Sequence, residues 1–105
     1  NVNGETAKKT YIYVPDKTYQ IEVTGNFETQ YNVYSERQLF LNVDNISSKE
    51  ISHHATWEQT SVKTSFVDGG RTMSIRIEGV LHTLGVSFEK AFTIEFYCNE
   101  GGKIS

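Results

Sequence analysis

Few residues in this chain could do chemistry. His53 and His54 sit side by side in "ISHHATWEQTSVKTSF", Trp57 follows three positions later, and His82 is the third imidazole. Imidazole binds metals and exchanges protons near neutral pH, so an adjacent pair invites a metal or acid–base reading. Zinc needs three or four ligands converging on one ion, and only His82 with Glu58 suggests itself as the remainder. Adjacent strand residues point to opposite faces, so His53 and His54 are not expected to share an ion. The sequence predicts no metal site and keeps His54, opposite Trp57, as a surface candidate. Trp57 itself is expected to face the core.

The other reactive groups read blandly. Cys98 is the only cysteine, so it can form no intrachain disulfide. It follows an apolar alternation, with no histidine or helix N-terminus nearby to activate it, and is expected to be a buried, inert thiol. Glu22, Glu28, Glu58, Glu78 and Glu95 fall at polar positions of alternating segments and read as a solvated face. No phosphate loop, dinucleotide fingerprint, nucleophile elbow, zinc-protease motif or calcium loop occurs. The reading is of a non-enzyme without a cofactor. A small hydrolase or metal-dependent enzyme built on His53, His54 and His82 is the alternative.

Tyrosine is the more promising contact residue. Tyr11, Tyr13, Tyr34 and Tyr97 lie off the apolar parity of their segments and are expected to be at least partly exposed. Tyrosine is amphipathic and enriched at interfaces, so these four and His54 are the candidate binding residues, for a protein or carbohydrate ligand.

Elements able to hold such a surface follow from residue choice. Val, Ile and Thr total 28 residues, against 3 Ala, 4 Leu and 1 Met. β-branched and aromatic side chains suit a pleated surface, whereas a helical chain would draw on Ala, Leu and Met. The class is all-β. "TYQIEVT", "FETQYNVY", "TMSIRIEGVL" and "FEKAFTIEFYC" alternate as strands do. Gly25-Asn26, Asp44-Asn45, "DGG" (68–70) and "HTLGVS" read as turns. "SERQ" and "SSKE" resemble helix caps without a helix to follow. The apolar parity changes at "QTSV" and again at Gly79, which predicts a bulge at each.

The expected fold is an antiparallel β-sandwich, immunoglobulin-like in general architecture, of about seven to eight short strands. A small β-barrel is the alternative. Residues 10–98 form the single domain, residues 1–9 a flexible arm and residues 99–105 a tail. A net charge of −3 without a basic cluster argues against nucleic acid. No transmembrane segment is expected. The start, without Met or an apolar leader, and the near absence of cysteine suggest an exported or surface-associated domain of bacterial type, the cytoplasm remaining open. Assembly through an edge strand is the third functional reading.

Overall fold

The computed structural model describes the backbone of residues 3–13 and 19–105, and side chains from Tyr19 onward. Six strands form: β1 (Asn3–Tyr13), β2 (Ile21–Asn32), β3 (Arg37–Glu50), β4 (Thr56–Val67), β5 (Thr72–Thr83) and β6 (Val86–Tyr97). They make two antiparallel sheets, β1–β2–β3 and β4–β5–β6. The all-β class holds. The strand number is a correction: among the described residues there are six long strands, not seven or eight short ones.

The excess came from turn residues used otherwise. Gly25 and Asn26 lie inside β2, and Asp44 and Asn45 inside β3. A Cβ at Gly25 would come within 3.3 Å of Val43 and 3.4 Å of the Phe27 ring, so this glycine answers to close packing. Asn45 has φ +54° at a register shift between β2 and β3. A second shift, beside Leu41, lets the 14 residues of β3 span the 12 of β2. Each sheet is also a simple meander of neighbouring strands, unlike the Greek-key connections of an immunoglobulin-like sandwich.

The expected bulge at "QTSV" is present: pairing passes from Gln59–Gly79 to Ser61–Glu78, leaving Thr60 as the extra residue. Gly79 is not a second bulge, because β5 pairs with β6 without interruption. It lies under the Trp57 indole, where a Cβ would stand 2.4 Å from Cζ2. The turn expected at "DGG" is a 3-10 turn, Asp68–Gly70, and "HTLGVS" contains the two-residue link Leu84-Gly85.

Side chains of both sheets meet in one core. β2 and β5 are the central strands, and their inner positions Ile21, Val23, Phe27, Met73, Ile75, Ile77 and Leu81 are buried. Phe92, Ile94 and Phe96 of β6 and Phe40 of β3 complete the layer. Phe27 bridges the sheets, its ring centroid 4.6 Å from Phe96 and 5.7 Å from Phe40. Trp57 is half-buried against this core, 6.0 Å from Phe92.

The bulged strands β3 and β4 meet along one side. Bulges increase local twist and bend an edge, which brings side chains across the join. Trp57 Nε1 donates to Ser48 Oγ (2.8 Å), Ser48 Oγ donates to Gln59 Oε1 (2.5 Å), and Gln59 Nε2 donates to the Ile46 carbonyl (3.3 Å).

Both chain ends are more structured than the sequence suggests. β1 begins at Asn3, inside the segment assigned to an arm. Residues 99–105 turn back on the sheet. Asn99 Oδ1 accepts the N–H groups of Gly101 and Lys103, Ile104 bridges to Cys98, and Ile104 is buried. Among the described residues no helix is long and apolar enough to cross a membrane.

Candidate functional sites

The histidines part company. His53 and His54 do not open a strand: they lie in the connection between Glu50 and Thr56, both exposed, and His53 has φ +69°. Glu50 organises this connection. Its Oε2 accepts the Gln20 N–H (3.2 Å) and the Ser52 hydroxyl, and its Oε1 accepts the His53 N–H (3.0 Å). Burial pushes the Glu50 carboxyl up, yet the Ser52 hydroxyl and the N–H groups of Gln20, Ser52 and His53 together hold it below its ordinary value.

His82 makes a separate cluster on the outer face of the second sheet. Its Nδ1 lies 2.8 Å from Ser87 Oγ and its Nε2 3.4 Å from Glu58 Oε1. Register accounts for this: His82 faces Ser87 on β6 and Thr56 on β4, with Glu58 one step along the same face. A serine, an imidazole and a carboxylate in a row resemble a nucleophile relay. Here they lie on an open strand face, with Glu58 and His82 both well exposed. Acyl transfer also needs oxyanion donors in a water-excluding pocket. The β5 backbone beside His82 is committed to the ladder on both sides. Among the described residues, no three His, Cys, Asp or Glu side chains converge as a metal site would require.

Of the tyrosine candidates whose side chains are described, Tyr34 and Tyr97 lie at the opposite end of the sheets from His54. Tyr34 is almost fully exposed in the turn before β3, and Tyr97 is half-exposed at the end of β6, its hydroxyl donating to Glu95 (3.0 Å). The start of β3 and the end of β6 lie together, since the Gln38 N–H donates to the Glu100 carbonyl. His54 follows the far end of β3, roughly 45 Å away at the usual strand rise. Tyr11 and Tyr13 pair through the backbone with Val23 and Ile21, and their side chains lie outside the described residues.

Cys98 is buried among core residues, and burial pushes its thiol pKa up, against the lowering pull of Arg37. Arg37 Nη2 donates to the Cys98 carbonyl, anchoring the strand end.

Two further surfaces escaped the sequence reading. The outer face of the first sheet holds a depression of about 520 Å³ lined by Glu22, Thr24, Asn26, Asn45, Ser47, Ser48 and Lys49, with Lys49 3.7 Å from Glu22. It is polar and has no aromatic lining. At the β5–β6 hairpin, Leu84 is fully exposed, Val86 is 49% exposed and Phe88 43% exposed. Phe88 pairs with buried Leu81 and shares the inner-face parity of Phe92, Ile94 and Phe96, so alternation sends it inward. Alternation cannot reveal that Phe88 lies on the outermost strand of its sheet, while its partner Leu81 on central β5 is covered. Lys90 Nζ stands 5.8 Å from the Phe88 ring centre.

No protein-family model, curated protein or solved structure matches this chain.

Proposed function

We propose that this is a non-enzymatic interaction domain of sandwich-like build, which works by contact with another protein. The carrying observation is the apolar end of the β5–β6 hairpin, where Leu84, Val86 and Phe88 are open to water together. Isolated exposed apolar side chains are ordinary, whereas a cluster at the tip of one element marks a contact surface. An exported or surface-associated setting of bacterial type fits a chain whose single cysteine is buried.

A carbohydrate ligand would find hydrogen-bonding side chains in the depression of the first sheet, but no ring there to stack on. A hydrolase would rest on the His82 cluster, which lies on an open strand face with His82 and Glu58 both well exposed. Protein contact is therefore preferred over both.

A photo-crosslinking residue introduced at position 84, in the protein produced in its native source, tests the reading. A discrete adduct is expected, lost when Val86→Ser and Phe88→Ser are added and absent with the crosslinker at position 63 on β4. Failure to form an adduct at 84, or the same adduct from 63, would remove the proposal.

A further inference from the structure

The outer face of the second sheet is dished beside the bulge of β4. A depression of about 520 Å³ has Thr60, Glu78, Gly79, Val80, Glu89 and Ala91 in its lining. Thr60 is the extra residue of the bulge, and its Oγ1 donates to the Glu78 carbonyl at 3.2 Å. A bulge bends and twists its strand locally, and bulges recur beside functional sites. Register places the side chains around one centre. Val80 on the middle strand pairs with Glu58 of β4 on one side and Glu89 of β6 on the other. Glu78 stands two residues back on the same face, opposite Ala91. An apolar residue is thus ringed by three carboxylates, and Ala91 extends the apolar floor.

Charge in this ring is unevenly answered. Arg76 Nε lies 3.3 Å from Glu78 Oε2, and His82 Nε2 lies 3.4 Å from Glu58 Oε1. Glu89 is exposed and has no ion pair among the described residues. Lys90 borders the depression too, but alternation turns it to the other face, where its Nζ stands 5.8 Å from the Phe88 ring centre. The Cβ atoms of Glu58 and Glu89 are roughly 10 Å apart, two strand spacings. Among the described residues no three such side chains converge as metal ligands do. An apolar floor with an unanswered carboxylate at its rim suits a longer cation that has an apolar stem.

We infer that the protein partner of the hairpin tip carries a lysine or arginine side chain that lies along Val80 and Ala91 and sets its cation against Glu89. This rests on the protein-contact reading above and names the chemistry of that partner. Lysine and arginine cover apolar surface with their stems while the charged head stays at a polar rim. The Val80–Glu89 rung is three rungs from Thr83–Val86, roughly 10 Å from the tip. One extended partner segment therefore reaches both, with an apolar residue for Leu84 and a cation about three positions along. The same carboxylates repel anionic surfaces, which sets a basic polypeptide ahead of nucleic acid or an anionic membrane as occupant.

Titrating the protein with a short peptide that carries leucine and arginine three residues apart, read by amide chemical shifts, tests the inference. Shifts are expected at Leu84, Val80, Glu89 and Ala91. They should fade as salt rises and be absent with a peptide in which glutamate replaces the arginine. Glu89→Gln should weaken the peptide at least about twofold, the scale of one exposed ion pair, and Glu89→Lys should weaken it further. Glu22→Gln on the other sheet should leave binding unchanged. Because Glu89 is exposed, neither of its variants should move the melting temperature. The inference is overturned if the arginine peptide leaves these amides still, or if Glu89→Gln titrates as the parent does. Spermidine shifting them as strongly would also overturn it, by making the site one for a free polyamine. In the native source, Glu89→Lys should suppress the adduct formed from position 84. A full-yield adduct from the Glu89→Lys protein sinks the cation pairing and leaves the contact reading standing, whereas no adduct from the parent removes both.

Discussion

Gly79→Ala is the most severe small substitution the structure offers. A Cβ at this position would lie 2.4 Å from Trp57 Cζ2, 2.7 Å from Cη2 and 2.5 Å from the Glu58 carbonyl oxygen. The Glu58 oxygen belongs to backbone held in the β4–β5 ladder, so the indole must move and the strands must part slightly. Overpacking of this kind costs roughly 1–3 kcal/mol. Displacing the indole also breaks its bond to Ser48, worth about 1 kcal/mol. Alanine stiffens the unfolded chain and returns about 0.4–1 kcal/mol. The net loss is about 1–3.5 kcal/mol, which lowers the urea midpoint by roughly 0.5–2 M for a domain of this size. Trp57 is the only tryptophan, so its fluorescence follows unfolding directly and should shift in the folded variant as well. Gly25→Ala is the matched control: its contacts of 3.3–3.4 Å need only small adjustments, and about 1 kcal/mol or less is expected. In a Trp57→Ala background, followed by circular dichroism, Gly79→Ala should cost less, because only the Glu58 clash remains. The reasoning fails if Gly79→Ala proves no more destabilising than Gly25→Ala.

Three other outcomes follow from buried or capped groups. Thr29 is fully buried and, among the described residues, its hydroxyl has no hydrogen-bond partner, so Thr29→Val should raise chemical-denaturation stability by about 1 kcal/mol. Ile104→Ala should lower it by about 2–4 kcal/mol, as for a core residue, where a loose tail would register nothing. Glu50→Gln should cost about 1 kcal/mol at neutral pH. The folded-state Glu50 value is depressed, so its contribution is complete above the ordinary carboxylate range and is lost as pH falls through the lower folded value. Thermal melts at decreasing pH should therefore show parent and Glu50→Gln converging on the acid side.

Composition and period-two alternation make the class, the cores of β2, β5 and β6 and the bulge in β4 legible in advance. Glycine is where the reading divides. Gly79 and Gly25 look like a bulge and a turn because glycine serves conformation and close approach equally well, and only a partner across the sheet decides between them. Asn45 and His53 were misread for a related reason: a left-handed residue inside or just after a long strand leaves no local pattern. The His82–Glu58 contact was visible as a pairing of residue types, but its Ser87 neighbour needed the β5–β6 register. Phe88 carries the parity of a core residue, and its exposure goes with its place on the edge strand, while its partner Leu81 on the central strand is buried; alternation along one strand does not encode that position. Ile104 was missed because two glycines before it suggest a loose end, whereas they let the chain turn back and bury it.

Each sheet is built from one contiguous half of the chain, 3–50 and 56–97, and the link between them is short, exposed at His53 and His54, and tied by the Glu50 carboxylate and the Ile51 N–H on the Gln20 carbonyl. Every strand pairs with its sequence neighbour, so loop closure during folding is inexpensive and each meander can zip before the halves meet. A cut between His53 and His54 severs no rung of either ladder. Two fragments made this way should recombine across the Phe27–Phe96 interface, which makes this fold a natural candidate for a split reporter whose signal is its lone tryptophan.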